Sequence, residues 1–207
     1  MTSMIWPKGQ VIHRIHLSLY RGIEFNPGTK GNARFSPIED SAGASVPTLY
    51  GGTTFDCAAM ETIFHDVPFV VGLRTYDKQR LAGQVLSRLA PRRDLVLADL
   101  SATALRKLGL RRNQLIDTEK DRYPETRPWA EAIHAGCPEA EGLCWVSRQD
   151  DRARALMLFG DRVPARHLAQ RGNSLYLTSN LDIHLRVLAL ADRIGVRIVD
   201  GWGDPRA

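Results

Sequence analysis

The sequence predicts an α+β fold, with mixed and antiparallel sheets flanked by helices. Short apolar runs of strand length recur along the chain without a regular alternation of strand and helix, which argues against a doubly wound parallel sheet. Capped helical patterns are few and fall between strand pairs. Neither a G-x-G-x-x-G nor a Walker sequence is present, so the nucleotide folds that those motifs mark have no support.

In chain order, Gln10 to Leu19 reads as a strand built on Val11, Ile12 and Ile15. A turn-rich segment follows from Gly22 to Pro47, with Asn26-Pro27-Gly28, Gly31-Asn32, Ser36-Pro37 and Ala42-Gly43 as its punctuation, and a loop of that length in one domain is usually functional. Thr48-Leu49-Tyr50 predicts a strand ending at Gly51-Gly52. Thr53 or Thr54 then caps a helix over Phe55 to His65. Arg80 to Leu89 and Asp94 to Leu100 read as a hairpin turning at Pro91-Arg92-Arg93. Ser101 caps a short helix through Leu105 to Leu108 that stops at Gly109, and a second helix spans about Thr126 to Ala135. Gly142 to Ser147 and Arg154 to Phe159 pair as a hairpin across Arg148-Gln149-Asp150-Asp151. Ser179 or Asn180 caps a last helix carrying Leu181, Leu185, Leu188 and Ala191 at helical spacing, and Val196 to Asp200 forms the final strand.

With 207 residues, and no linker or repeat between two halves, the chain is expected to be one domain over 1–207. Apolar residues at 43% and charged residues at 25% argue against disorder or a coiled coil. No apolar run reaches the ~20 residues of a membrane span. Met1 to Gln10 carries no signal-peptide pattern, so a cytoplasmic location is expected. Cys57, Cys137 and Cys144 lack paired metal-ligand spacing and read as free thiols; no metal is expected. The net charge is +5, and only five of the 28 basic residues are lysine. Arginine suits phosphate and carboxylate, but the charges are scattered and a nucleic-acid groove is weakly supported.

Several residues stand out chemically. Arg14 lies in an apolar strand, where a buried guanidinium needs an anionic partner, unless it points outward. His13 and His16 flank it without an acidic or Cys ligand. Gly31 to Pro37 sets Arg34 in a glycine-flanked loop whose backbone N–H groups suit a phosphate, or is an ordinary turn. Tyr50 ends a strand, and Glu61 shares a helix face with Ala58 and His65. A tyrosine platform and a lone carboxylate fit cleavage of a nicotinamide–ribosyl bond, whose transition state is an electron-deficient ribose. His65 either pairs with Glu61 or meets the helix C-terminus. Ser147, outside any G-x-S-x-G elbow, reads as a hydrogen-bonder to a ligand. Thr126 and Trp129, at a helix start, offer a hydroxyl and an aromatic near a positive helix end, or an N-cap and a core residue.

On these residues the chain resembles the RES domain family, named for its Arg, Glu and Ser, which supplies toxins of bacterial toxin–antitoxin pairs. The matching stretches are Val11-Ile12-His13-Arg14-Ile15-His16, Phe25-Asn26-Pro27-Gly28, Ala33-Arg34-Phe35-Ser36-Pro37, Pro47-Thr48-Leu49-Tyr50-Gly51-Gly52, Ala58-Ala59-Met60-Glu61 and Phe64-His65-Asp66-Val67-Pro68. Tyr123-Pro124-Glu125-Thr126-Arg127-Pro128-Trp129-Ala130 and Gly142 to Arg148 continue the likeness, which covers roughly residues 10 to 165. The resemblance implies an ADP-ribosyltransferase-like fold and NAD as substrate, consumed by hydrolysis, phosphorolysis or ADP-ribosylation of a protein. It implies that Arg14 holds phosphates or ribose, Arg34 assists, Tyr50 stacks near nicotinamide and Glu61 is the catalytic carboxylate. The family serine falls at Ser147 or, as a threonine, at Thr126. The resemblance also implies a cognate antitoxin whose C-terminal segment blocks the site entrance. A non-catalytic nucleotide-binding or partner-binding module is the alternative from a different class.

Overall fold

The computed structural model describes residues 1–28 and 31–201; Thr29 and Lys30, within the predicted turn-rich segment, lie outside the described residues. The elements in chain order are β1 (Ser3–Trp6), β2 (Ile12–Leu17), β3 (Thr48–Gly52), α1 (Phe55–Thr62), β4 (Arg74–Asp77), β5 (Gln84–Pro91), β6 (Leu95–Asp99), α2 (Ala102–Lys107), α3 (Arg112–Leu115), α4 (Tyr123–Gly136), β7 (Gly142–Val146), β8 (Arg154–Phe159), β9 (Leu168–Gln170), β10 (Leu175–Tyr176), α5 (Leu181–Arg193) and β11 (Val196–Val199). Nine strands form one mixed sheet in the order β1-β6-β7-β8-β3-β2-β5-β10, with β9 also on β5, while β11 and β4 pair in parallel. The fold is α+β, as the sequence predicts.

Alternating strand residues feed cores on the sheet's two faces. Leu143 and Trp145 of β7 and Ala155, Met157 and Phe159 of β8 pack with Leu105, Leu115, Ala130 and Ile133 from α2, α3 and α4. Their neighbours Cys144, Leu156 and Leu158 face the other way, joining Trp6, Ile12, Leu49, Leu89 and Leu97. A third cluster sets Phe55 and Ala59 of α1 and its C-cap Ile63 against Ile15, Leu86 and the α5 residues Ile183, Val187 and Leu190.

Several local expectations hold. Thr54 caps α1 by accepting from Cys57 N–H, Ser101 caps α2, Asn180 caps α5, and β7 and β8 form the predicted hairpin with Gly142 opposite Leu158. The cysteines are free thiols.

Others are corrected. Helix α1 stops at Thr62, three residues short of His65, because Ile63 and Phe64 N–H both close on the Ala59 carbonyl. Helix α4 begins at Tyr123, not Thr126, with Pro124 in its first turn, where no N–H partner is lost. Strands β5 and β6 do not pair: β5 has β2 on one edge and β9 and β10 on the other, whereas β6 lies between β1 and β7. On α5, Leu181, Leu185 and Leu188 are exposed, and the buried stripe is Ile183, Val187, Leu190 and Ala191. Both stripes carry helical spacing, and period alone does not choose between them.

The feature that positions a site is a split in the sheet. β2 is paired with β5 along its whole length, from Ile12–Leu89 to Leu17–Gln84, and β3 with β8 from Thr48–Phe159 to Gly52–Ala155. Between β2 and β3, His13–Gly52 is the register pair among the described residues. Gly51 lets the strands approach there: a Cβ would lie 2.4 Å from Ile12 Cγ2 and 3.0 Å from the His13 carbonyl. Beyond this point the two strands share no further register pair among the described residues, and Arg14, Ile15 and His16 on one side and Tyr50 and Gly51 on the other line a cavity between them.

Candidate active site

The split opens a cavity of about 410 Å³ whose lining includes Arg14, His16, Arg34, Tyr50, Glu61 and Trp145. A second hollow of about 300 Å³ shares Arg34, Glu61, His65, Lys120 and Tyr123 with it, and adds Phe69 and Arg148. Glu61 therefore lies where the two hollows meet.

Glu61 is half-buried near the C-terminal end of α1. Its Oε1 accepts a hydrogen bond from the Ser147 hydroxyl at 2.6 Å. Ser147 is fully buried just past β7, and its oxygen accepts from Gln149 N–H at 3.0 Å and Asp150 N–H at 3.1 Å. With both lone pairs engaged, the one hydroxyl proton is directed at Glu61. Ser147 thus orients the carboxylate and does not itself line the cavity, which corrects its reading as a ligand hydrogen-bonder.

Arg14 is buried, and the partner the sequence demanded is not a carboxylate. Its Nη1 donates to the Gly22 carbonyl at 2.7 Å and the Glu24 carbonyl at 2.6 Å. Burial draws its pKa down to about 10, against a smaller opposing pull from Glu24. The dipoles of two carbonyls hold the group in place without cancelling its charge, so an anionic ligand can still pair with it.

Arg34, also buried, reaches across to the segment after α3. Its Nη1 donates to the carbonyls of Ile116 and Thr118 and, at 2.9 Å, to Thr118 Oγ1; its guanidinium lies 5.0 Å from the Tyr123 ring centroid. Thr126 is fully buried, and its hydroxyl is directed at the carbonyls of Arg34 and Tyr123. It sits inside the first turn of α4 and supports the Arg34 backbone, so it is neither the N-cap of that helix nor a hydroxyl turned toward the cavity. Trp129 is 37% exposed and is not a core residue.

The Tyr50 ring lines the cavity, and its hydroxyl donates to Ser36 Oγ at 3.2 Å while accepting from Phe35 N–H at 3.2 Å. Burial pushes the phenol pKa upward, keeping the donor in place. His65 does not pair with Glu61: its Nδ1 meets the Thr62 carbonyl at 3.1 Å, at the C-terminal end of α1, and its Nε2 meets Asp66 at 3.1 Å. Asp66 also receives Lys120 Nζ at 3.0 Å.

The structure therefore brings Arg14, Arg34, Tyr50 and Glu61 to one cavity, with Ser147 directly behind Glu61. Sequence reasoning missed Tyr123, Lys120 and Arg148 as lining groups. Tyr123 and Arg148 were quoted in the family-like stretches, and that was the signal available. Among the described residues no cluster of three or more His, Cys, Asp or Glu is arranged to hold a metal ion, and no helix is long and apolar enough to cross a membrane. In comparison with known proteins, residues 11–180 match the family model described as RES domain. No curated protein matches the chain.

Proposed function

The chain belongs to the RES domain family, a family associated with toxin-like modules that act on NAD, and on that premise we propose that it cleaves the bond between nicotinamide and ribose in NAD to arrest growth. The observation that carries the reading is Glu61, half-buried where two hollows meet and aimed by a fully buried serine. Arg14 and Arg34 bind the pyrophosphate or its ribose, and Tyr50 packs against the nicotinamide end. As the C1″–N bond lengthens, its electron pair leaves with nicotinamide, and positive charge grows on the ribose ring. A fixed carboxylate stabilises that charge more than it stabilises the ground state. The acceptor oxygen then bonds to C1″ and gives up its proton. Water yields ADP-ribose, phosphate yields ADP-ribose 1″-phosphate, and a protein side chain yields a mono-ADP-ribosylated protein. On the same reading the chain acts with a cognate antitoxin as partner.

The test is nicotinamide release from NAD by the purified chain, with and without phosphate, followed by mass analysis of the second product. Glu61→Gln is expected to lower kcat by about 10²- to 10³-fold, with NAD affinity changed only slightly, since the amide keeps the side chain's size. Full turnover by a folded Glu61→Gln protein would sink the assignment. NAD binding without release from the unmodified chain, with or without cell extract, would make it a binding module instead.

A further inference from the structure

His16 lines the main cavity beside Arg14, yet both of its ring nitrogens are engaged elsewhere. Nδ1 lies 2.9 Å from the Leu17 carbonyl, which can only accept, so Nδ1 carries a proton. Nε2 lies 2.8 Å from Ser87 Oγ, on the neighbouring strand β5. Ser87 is fully buried, and its oxygen is 2.7 Å from Ser174 Oγ. Ser174 in turn accepts from Gln170 Nε2 at 3.2 Å. The same Gln170 nitrogen donates to the Gly172 carbonyl at 3.1 Å, which fixes the amide's orientation.

A polar chain thus runs from a group that can only donate, the Gln170 amide N–H, to one that can only accept, the Leu17 carbonyl. With His16 neutral and its proton on Nδ1, every link is satisfied in turn: Gln170 to Ser174, Ser174 to Ser87, Ser87 to His16 Nε2, and His16 Nδ1 to Leu17. Protonating Nε2 would turn the Ser87 hydroxyl away from the imidazole and put a second cation on the strand that carries Arg14. The surrounding charges agree. Burial, followed by the Arg14 charge on the same strand, lowers the His16 pKa; the Leu17 carbonyl and Glu24, in the following turn, oppose this less strongly.

The same chain backs the Arg14 clamp. A Cβ on Gly22 would lie 2.7 Å from Ser87 Oγ and 2.5 Å from Gln170 Oε1, so only glycine brings this turn against the chain, and it is the Gly22 carbonyl that receives Arg14 at 2.7 Å.

We propose that Ser87 is a positioning residue for the ligand-binding wall on β2: its hydroxyl locks His16 as the neutral Nδ1–H tautomer, and with Gln170 it seats the turn that holds Arg14. The wall then offers a ligand anion the single cation Arg14, beside an uncharged imidazole. This role rests on the reading of the cavity as the NAD site.

The test pairs NMR of the imidazole nitrogens with the pH profile of KM for NAD in nicotinamide release. In the unmodified protein His16 is expected to be the neutral Nδ1–H tautomer at neutral pH and to titrate below the ordinary imidazole range. Ser87→Ala removes the donor to Nε2, so the His16 titration moves up in pH. KM is then expected to rise about five-fold, as for loss of one ordinary hydrogen bond, with kcat changed less than about two-fold. Ser87→Thr, which keeps the hydroxyl, restores both. A protonated or Nε2–H His16 in the unmodified protein, or an unchanged titration in Ser87→Ala, overturns the proposal. If Ser87→Ala does not fold, Ser174→Ala cuts the chain one link further out and must shift His16 in the same direction; no shift there is equally fatal. If the unmodified chain releases no nicotinamide, the NAD reading fails, while the NMR arm still decides the tautomer lock.

Discussion

Arg14 and Arg34 are both buried, both line the same cavity and neither has a carboxylate within ion-pair distance among the described residues, yet they are held in opposite ways. Arg14 projects from a regular strand, and its carbonyl partners, Gly22 and Glu24, lie 8 and 10 residues along the chain. Arg34 projects from an irregular loop, and its partners at Ile116 and Thr118 lie 82 and 84 residues away. One wall draws the hydrogen bonds of its arginine from the turn that directly follows β2, although that turn itself rests on Ser87 and Gln170. The other exists only when the chain has folded around it, because the segment after α3, α4 and the loop carrying Arg34 must all meet.

The prediction with the largest effect concerns the carboxylate between these walls. Ser147→Ala removes the donor to Glu61 and leaves the Gln149 and Asp150 N–H groups without their acceptor. A lost hydrogen bond to a charged group is worth about 1.5–3 kcal/mol, so kcat for nicotinamide release is expected to fall about 10- to 100-fold, with KM moving less. The fall should be smaller than for Glu61→Gln, because the charge remains and only its aim is lost. Equal loss in the two variants would mean that Ser147 meets the substrate itself.

The next prediction separates the two arginines. Arg34→Ala strands buried carbonyls at Ile116 and Thr118 and removes the cation over Tyr123, so unfolding stability should drop by about 2–3 kcal/mol. Arg14→Ala frees the carbonyls of Gly22 and of Glu24, an exposed residue in a turn, where water can partly replace the guanidinium, and should cost less than half as much. Denaturant midpoints of the two variants measure this. Comparable losses would erase the distinction between a local and an assembled wall.

This distinction also explains what was legible in the sequence. Arg14, Tyr50 and Glu61 were readable because they lie on short elements with their own signals: an apolar strand, a strand closed by Gly51-Gly52, and a helix capped by Thr54. The β7–β8 hairpin announced itself through a polar turn between two apolar runs. Features defined by distant pairing were not readable. β1 is four residues whose partner β6 lies far along the chain, with Ser3 opposite Ala98, and nothing near Leu95 tells that its strand avoids the sequence neighbour β5. The role of Thr126 was misjudged for the same reason. A threonine near a helix start is a sound N-cap candidate, but here the helix begins a turn earlier and the hydroxyl serves an arginine carbonyl 92 residues away. Ser147 looked like a ligand contact because its partner, Glu61, lies 86 residues upstream.

The smallest expected effect tests whether contacts between distant segments are strong simply because they are distant. Lys120 and Asp66 join the segment after α3 to the turn after α1 at 3.0 Å, beside the meeting point of the two hollows. Unlike Arg34, both partners are nearly half exposed, at 47% and 46%. Water already solvates each charge, and the attraction is offset by the entropy of fixing two mobile side chains, so such pairs contribute about 0–1 kcal/mol. Lys120→Ala also keeps the main-chain carbonyl that accepts from Asn32 Nδ2 at 3.4 Å. The variant should lose no more than about 0.5 kcal/mol of stability, and that loss should shrink to less than half at about 1 M salt, where the Debye length is about 3 Å. Denaturant midpoints at low and high salt decide it. A salt-insensitive loss as large as that of Arg34→Ala would mean that the outer edge of the site is held by charge, and burial would no longer be what distinguishes a firm contact here from a weak one.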